Sequence, residues 1–217
     1  MVGAIRNHGP AQVRRRQAAS RCVAGRPGSY SFVKLALSTS SPVVSVALWD
    51  DNGHLVMARQ RRADRSASAA TAELVEEALA ACGKTLADVT TWAVDVGPGG
   101  FTSVRVGVTM AKTWAWATGA PLASVSSFDL MPGDVNYVPG RRGTVLLRQN
   151  GEVEAVSLPP VGAVGYGAPD REDIFPLAER VDWAALSLGS PLPVVPDYVN
   201  PPRISLPKDP RVLGGQP

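Results

Sequence analysis

The chain is poor in the residues that carry metal and thiol chemistry. Its 217 residues include two cysteines, Cys22 and Cys82, and two histidines, His8 and His54. None of them stands at the spacing of a zinc site, a redox CxxC pair or an HExxH helix, which argues against metal-assisted and thiol-based catalysis. Two isolated thiols fit a reducing cytoplasm, and Cys82, near a helix end, reads as a small core residue. Long apolar runs are also missing. No stretch reaches the roughly 18 apolar residues of a membrane span, and the N-terminal segment has no signal-type apolar region, so a soluble protein without a membrane partner is expected. Acidic residues are absent from residues 1–32, which hold six arginines. That leaves 16 basic against 19 acidic residues, a charge of −3, on the remainder, so the folded body is not a polyanion binder by charge alone. The segment 1–32 reads as a disordered basic extension or a start codon placed too early, with a targeting or RNA-touching arm as the alternative.

What is present is an ordered series of strands and helices. Apolar alternation predicts strands over 33–37, 43–49 and 55–60, the last two joined by Asp50-Asp51-Asn52-Gly53, a hairpin turn of the Asn-Gly kind. Helical spacing of Thr71, Leu74, Val75, Ala78, Leu79 and Cys82 predicts a helix over 66–82, stopped by Gly83. A strand over 91–96, a helix over 103–118 and a strand over 121–125 complete the first half. The order β-β-β-α-β-α-β implies a hairpin-led sheet extended by two parallel crossovers, the half-unit of the actin-like, sugar-kinase and Hsp70 ATPase-type α/β fold. A generic α/β domain stays open on order alone.

Between the fourth strand and the second helix runs Gly97-Pro98-Gly99-Gly100-Phe101-Thr102-Ser103-Val104-Arg105. Three glycines permit close backbone approach, and Thr102 or Ser103 is expected to cap the helix. The loop suits an anion or a tightly packed neighbour, but it lacks the Lys-Ser/Thr ending of a P-loop, so packing or a partner contact is preferred. On the helix that follows, Arg105, Thr109, Lys112 and Trp116 share one stripe and nearly every other position is apolar or small. Such a helix wants cover on two sides, from a sheet and then from another chain or a second helix of this one.

The second half repeats the plan in reduced form. Strands are expected over 134–138, 144–148 and 153–158, the latter two around a second Asn-Gly turn, followed by a short strand over 161–166, a helix over 176–188 and a proline-rich tail from 191 that wraps back over the domain. The expected organisation is an extension 1–32, a first lobe 33–130, a reduced second lobe 131–190 and a tail 191–217.

Several segments together resemble the TsaB (YeaZ) family: Leu35-Ala36-Leu37-Ser38-Thr39-Ser40, Val43–Trp49, the glycine run through Val106-Gly107, Ala111-Lys112 and Pro121-Leu122-Ala123-Ser124-Val125-Ser126-Ser127. The resemblance is dense over 33–130; beyond that only Gly165-Tyr166-Gly167 and Pro196-Asp197-Tyr198 keep the family's look. It implies a two-lobed actin-like fold and a non-catalytic subunit that pairs with a TsaD-like catalytic subunit. That enzyme threonylcarbamoylates the adenosine next to the anticodon of tRNA. A TsaE-like ATPase is a further implied partner, tRNA is met through the complex, and a homodimer forms when the chain is alone. The helices over 66–82 and 103–118 are expected to form the partner interface, through Thr71, Leu74, Val75, Ala78, Val104, Val108, Ala111 and Lys112. The glycine loop residues Gly97, Gly99, Gly100, Thr102 and Arg105 complete the nominated site, with no catalytic residue. No cofactor is expected in this chain, any ATP or ADP lying at the partner interface.

One departure bears on chemistry. Ser38 stands where the family usually has Asp and where active actin-like ATPases use an acid near metal and phosphates, so nucleotide work by this chain is disfavoured. Asp95 and Asp129 lie at sheet ends, where Asp129 reads as a cap. The serine clusters at 38–41 and 126–127 have no neighbouring base and read as loop caps. A small actin-like kinase or ATPase acting on a metabolite, and a homodimeric regulatory protein, are the rival readings.

Overall fold

In the computed structural model, the structure describes residues 21–22, 31–63 and 66–199. The extension, apart from residues 21–22 and 31–32, and the end of the tail from residue 200 lie outside the described residues.

The first sheet is built from β1 (Arg21–Cys22), β2 (Val33–Ser38), β3 (Val43–Trp49), β4 (Leu55–Arg62), β5 (Val89–Asp95) and β6 (Leu122–Val125), in the order β1-β4-β3-β2-β5-β6. Strands β2, β5 and β6 are parallel and β3 and β4 antiparallel, the five-stranded mixed sheet that the order of elements implies. The sixth strand was not expected: residues 21–22, assigned to the extension, pair with Met57 and Ala58 on the β4 edge. At the β3–β4 turn, Asp50 accepts from the N–H groups of Asn52 and His54, and Gly53 takes φ 82°.

The two faces of the sheet differ in side-chain size. Val44, Val46, Leu48, Met57, Trp92 and Val94 meet α1 (Ala67–Ala81) and α2 (Phe101–Thr118) on one face. Each large side chain removed from water there stabilises the fold by about 1.5–3 kcal/mol. On the opposite face Ala36, Ala47, Ala58 and Ala93 keep the surface shallow, which admits Ala178 and Val181 from the second lobe. The apolar breadth of α2 has the same origin. Gly107, Ala111 and Ala115 are buried because the helix lies close on the sheet, and a Cβ at Gly107 would stand 2.3 Å from Thr39 Oγ1.

The second sheet, β7 (Asn136–Pro139), β8 (Val145–Gln149), β9 (Glu152–Val156) and β10 (Val164–Gly165), has the order β10-β7-β8-β9. The helix expected over 176–188 does not form; the segment makes two 3-10 turns, Ala178–Arg180 and Trp183–Ala185. Its backbone is committed elsewhere. The Leu177 N–H donates to the Leu130 carbonyl, the Ala178 N–H to Ser45 Oγ, and Asp182 caps the second turn. The local bonds are i→i−3, Arg180 N–H to the Leu177 carbonyl and Val181 N–H to that of Ala178, and the non-helical backbone at Val181 and Asp182 breaks the run before an i→i−4 ladder forms.

The proline-rich tail returns to the first lobe as an extended strap. Gly189 bridges to Leu122 on the β6 edge, Lys112 Nζ donates to the carbonyls of Leu192 and Val194, and the Asp197 N–H donates to the Val96 carbonyl.

Candidate functional site

The parallel strands β2, β5 and β6 end side by side, because Leu37 pairs with Val94 and Asp95 with Val125. One residue later the chain supplies Ser38 from β2, and two residues after β6 it supplies Ser127. Asp95 sits between them, fully buried. Ser38 and Ser40 hydroxyls donate to Oδ2 at 2.6 Å each, the Ser127 hydroxyl to Oδ1 at 2.6 Å and the Gly97 N–H to Oδ1 at 2.8 Å. Burial pushes this carboxyl above its ordinary range, and the four donors pull in the other direction. Every lone-pair direction is occupied by the protein. An acid held in this way fixes loops; it has no face left for substrate.

The glycine loop closes over this hub. The Gly97–Pro98 peptide is cis and Gly97 takes φ 104°. The Gly100 N–H donates to the Ser40 carbonyl at 2.7 Å, and a Cβ at Gly99 would lie 2.3 Å from that oxygen. The close neighbour that the glycines serve is therefore the first loop of the same chain. Tyr166 adds a tether from the second lobe by donating to the same carbonyl at 3.1 Å, and burial pushes its phenol up. Thr102 and Ser103 do not cap α2. The N-cap is Gly100 without a side-chain bond, and Ser103 donates its hydroxyl to the Gly100 carbonyl.

In front of the hub lies an open groove of about 760 Å³ between the first loop, the N-terminal ends of α1 and α2, and the β7 end. It presents the hydroxyl-bearing residues Ser40, Ser41, Ser66, Ser68, Thr102 and Ser103, and none of the described residues lining it is charged. Among the described residues no cluster of His, Cys, Asp or Glu could hold a metal ion. The described residues of the groove offer hydrogen bonds but no base, nucleophile activator or phosphate-neutralising cation.

The nominated interface residues need correction. Thr71, Leu74, Val75, Ala78, Val104, Val108 and Ala111 are all buried within the chain, at 0–3% exposure. They form its own core against the sheet, so they cannot be the contact surface on a partner. Helical periodicity identified an apolar stripe without telling which neighbour covers it. Lys112 is half-buried and held by the strap. The outward positions include Ala69, Ala72, Glu73, Glu76, Glu77 and Ala80 on α1 and Arg105, Thr109, Thr113, Trp116 and Ala117 on α2, with Val106 and Met110 half-buried beside them. Asp129 pairs with Arg148, which also donates to Asn136 Oδ1; the cap of that turn is Ser126. The sequence signal for the hub is serines following two parallel strands and an aspartate ending the third; instead of capping their own loops, Ser38, Ser40 and Ser127 converge on Asp95.

The profile of the family described as TsaD, tRNA N6-adenosine threonylcarbamoyltransferase, matches residues 60–151. The chain is similar to the tRNA threonylcarbamoyladenosine biosynthesis protein TsaB of Bacillus subtilis, 28% identical over 123 residues, which are 55% of this chain and 52% of that protein. With TsaB of Escherichia coli it shares 32% identity over 100 residues, 45% of this chain and 41% of that protein. Over these stretches the chain is similar to TsaB proteins. Among solved structures, the YeaZ protein of Pseudomonas aeruginosa superposes with a TM-score of 0.60 at 22% identity, covering 77% of this chain and 100% of that one. The fold is thus the actin-like α/β fold. A tRNA N6-adenosine threonylcarbamoyltransferase of Streptococcus pneumoniae shares 52% identity over 52 residues, 24% of this chain and 16% of that protein. The chain spans about half the length of the TsaB relatives it matches.

Proposed function

We propose that this chain is a non-catalytic subunit that pairs with a TsaD-like enzyme and supports threonylcarbamoylation of tRNA. The observation that carries the reading is the sealed hub. The acid at these strand ends, Asp95, is fully buried under three hydroxyls and one N–H, and the first loop offers Ser38. A chain built this way keeps the actin-like frame while the described residues of its groove lack the reactive groups of an ATPase, which disfavours the kinase reading. On the same grounds the chain alone holds no nucleotide, and any ATP or ADP sits at the junction with the partner. The names of the relatives supply the pathway. The surface for pairing is the outward side of α1 together with Val106 and Met110 of α2, apart from the Arg105 edge: Ala69 and Ala72 allow close helix approach, and Val106 and Met110 offer apolar contact.

Reconstitution tests the proposal. The purified chain, a TsaD-like enzyme and its threonylcarbamoyl donor are mixed with tRNA and the modified nucleoside is quantified. Modification is expected to require this chain, while phosphate release from ATP by the chain alone stays at background. Modification that proceeds equally without it, or ATP turnover that survives purification, overturns the reading.

A further inference from the structure

The strap brings a second set of residues together beside the groove. Tyr198 packs on Phe101 with ring centroids 5.2 Å apart, and the Arg105 guanidinium lies 4.6 Å from the Phe101 centroid and 6.0 Å from that of Tyr198. Phe101 is 42% exposed, large for an aromatic on a helix's first turn, and Arg105 is exposed with no carboxylate partner among the described residues. A cleft of about 190 Å³ opens next to this platform, lined also by Arg141 and Asp197. It is smaller than the roughly 300 Å³ at which pockets for whole ligands begin, so it takes one planar group and leaves the rest of a ligand outside.

We propose that this platform is a contact site of the chain for single-stranded RNA, one unstacked base entering the cleft against Phe101 and Tyr198 while Arg105 meets the adjoining phosphate. The inference rests on the tRNA-modifying complex proposed above and names the part of this chain that touches the RNA. Base stacking on exposed aromatic rings together with guanidinium contacts is how proteins hold unpaired nucleotides. Arg105 is preset for it, because the two rings already order its side chain. Asp197 separates RNA from an acidic peptide as the occupant. Its carboxylate repels a peptide acid in the cleft but accepts from the amino group of a base.

Fluorescence anisotropy of labelled tRNA, titrated with the full chain assembled with its TsaD-like partner at several salt concentrations, tests the site. Arg105→Gln is expected to weaken binding about fivefold and to lower the log–log salt slope by about 0.7, the signature of one lost phosphate contact on a single strand. Tyr198→Leu is expected to weaken binding by a similar factor, about fivefold, with the slope unchanged. Sedimentation with the partner is expected to be unaffected by either change, since a loss of RNA affinity that tracked a loss of pairing would make the platform a protein contact and overturn the proposal. Unchanged affinity and slope in both variants overturn it as well. The same titration with the chain alone separates this inference from the pairing: an Arg105-dependent salt slope there upholds the RNA site even if no complex forms, and its absence in both settings refutes it.

Discussion

Asp95 shows how much one side chain can hold in place. Its two oxygens tie the ends of β2 and β5, the glycine loop and the turn after β6, so its removal unfastens four segments at once. Asp95→Ala leaves three hydroxyls and an N–H in a dry site without their acceptor, and a loss of several kcal/mol is expected in denaturant unfolding. Asp95→Asn keeps the shape and an oxygen for Gly97 and Ser127, and its effect depends on pH in a direction that can be worked out. Burial raises the folded-state value above 3.8, so the native protein binds this proton more tightly than the unfolded chain does. The contribution of Asp95 to stability is then full below 3.8 and declines as pH rises through the folded-state value. Melting curves of both proteins from acid to neutral pH should show the wild type losing ground to Asp95→Asn as pH rises. A difference that stays constant would mean that Asp95 titrates normally.

At the scale of the element, α1 and α2 were legible in position but not in orientation. The start of α1 differs by one residue from the spacing-based expectation, and α2 begins at Phe101, two residues early, because the Gly100 backbone is anchored on Ser40. Apolar and small residues mark the buried stripe whether it faces a sheet or another protein. The distinction is testable on neighbouring alanines. Ala78→Glu places a charge in a site with 0% exposure and is expected to abolish cooperative unfolding. Ala72→Glu, on the exposed side of the same helix, should change stability by no more than about 0.5 kcal/mol while disrupting sedimentation with a TsaD-like partner. Loss of folding in Ala72→Glu would move the pairing surface elsewhere. The helix expected over 176–188 failed for a related reason: Pro176 and Gly189 suit the ends of a helix, but Ala178 and Val181 pack on the first sheet and the backbone leaves the helical region at Val181 and Asp182.

The whole molecule is two sheets joined by apolar contacts, among them Ala178 and Val181 on the first sheet and Phe128 against Val138 and Leu146, by a few polar contacts and by a strap. Tyr166 to Ser40, Ala178 to Ser45 and the Arg148–Asp129 pair join the lobes, and Lys112 clamps the strap by two carbonyls at 2.7 and 2.8 Å. Lys112→Met keeps the apolar stem and removes both bonds. A cost of about 1 kcal/mol is expected, which corresponds to roughly 2–4 °C in melting temperature for a protein of this size. Faster proteolysis between residues 190 and 199 should accompany it; an unchanged cleavage rate would show that the strap is held without Lys112.

Period-2 alternation and the two Asn-Gly turns determined the strands and hairpins from the sequence alone, since backbone pairing and turn geometry depend on neighbours a few residues apart. The glycine run determined a close backbone approach, and the lack of paired cysteines and histidines determined the kind of chemistry to set aside. Tertiary structure alone decided what the glycines approach, which helix faces are core, that Ser38, Ser40 and Ser127 converge on Asp95, and that Tyr198 meets Phe101 across 97 positions of the chain. Those outcomes are fixed by contacts between segments far apart in sequence, where the local pattern is the same whichever partner arrives.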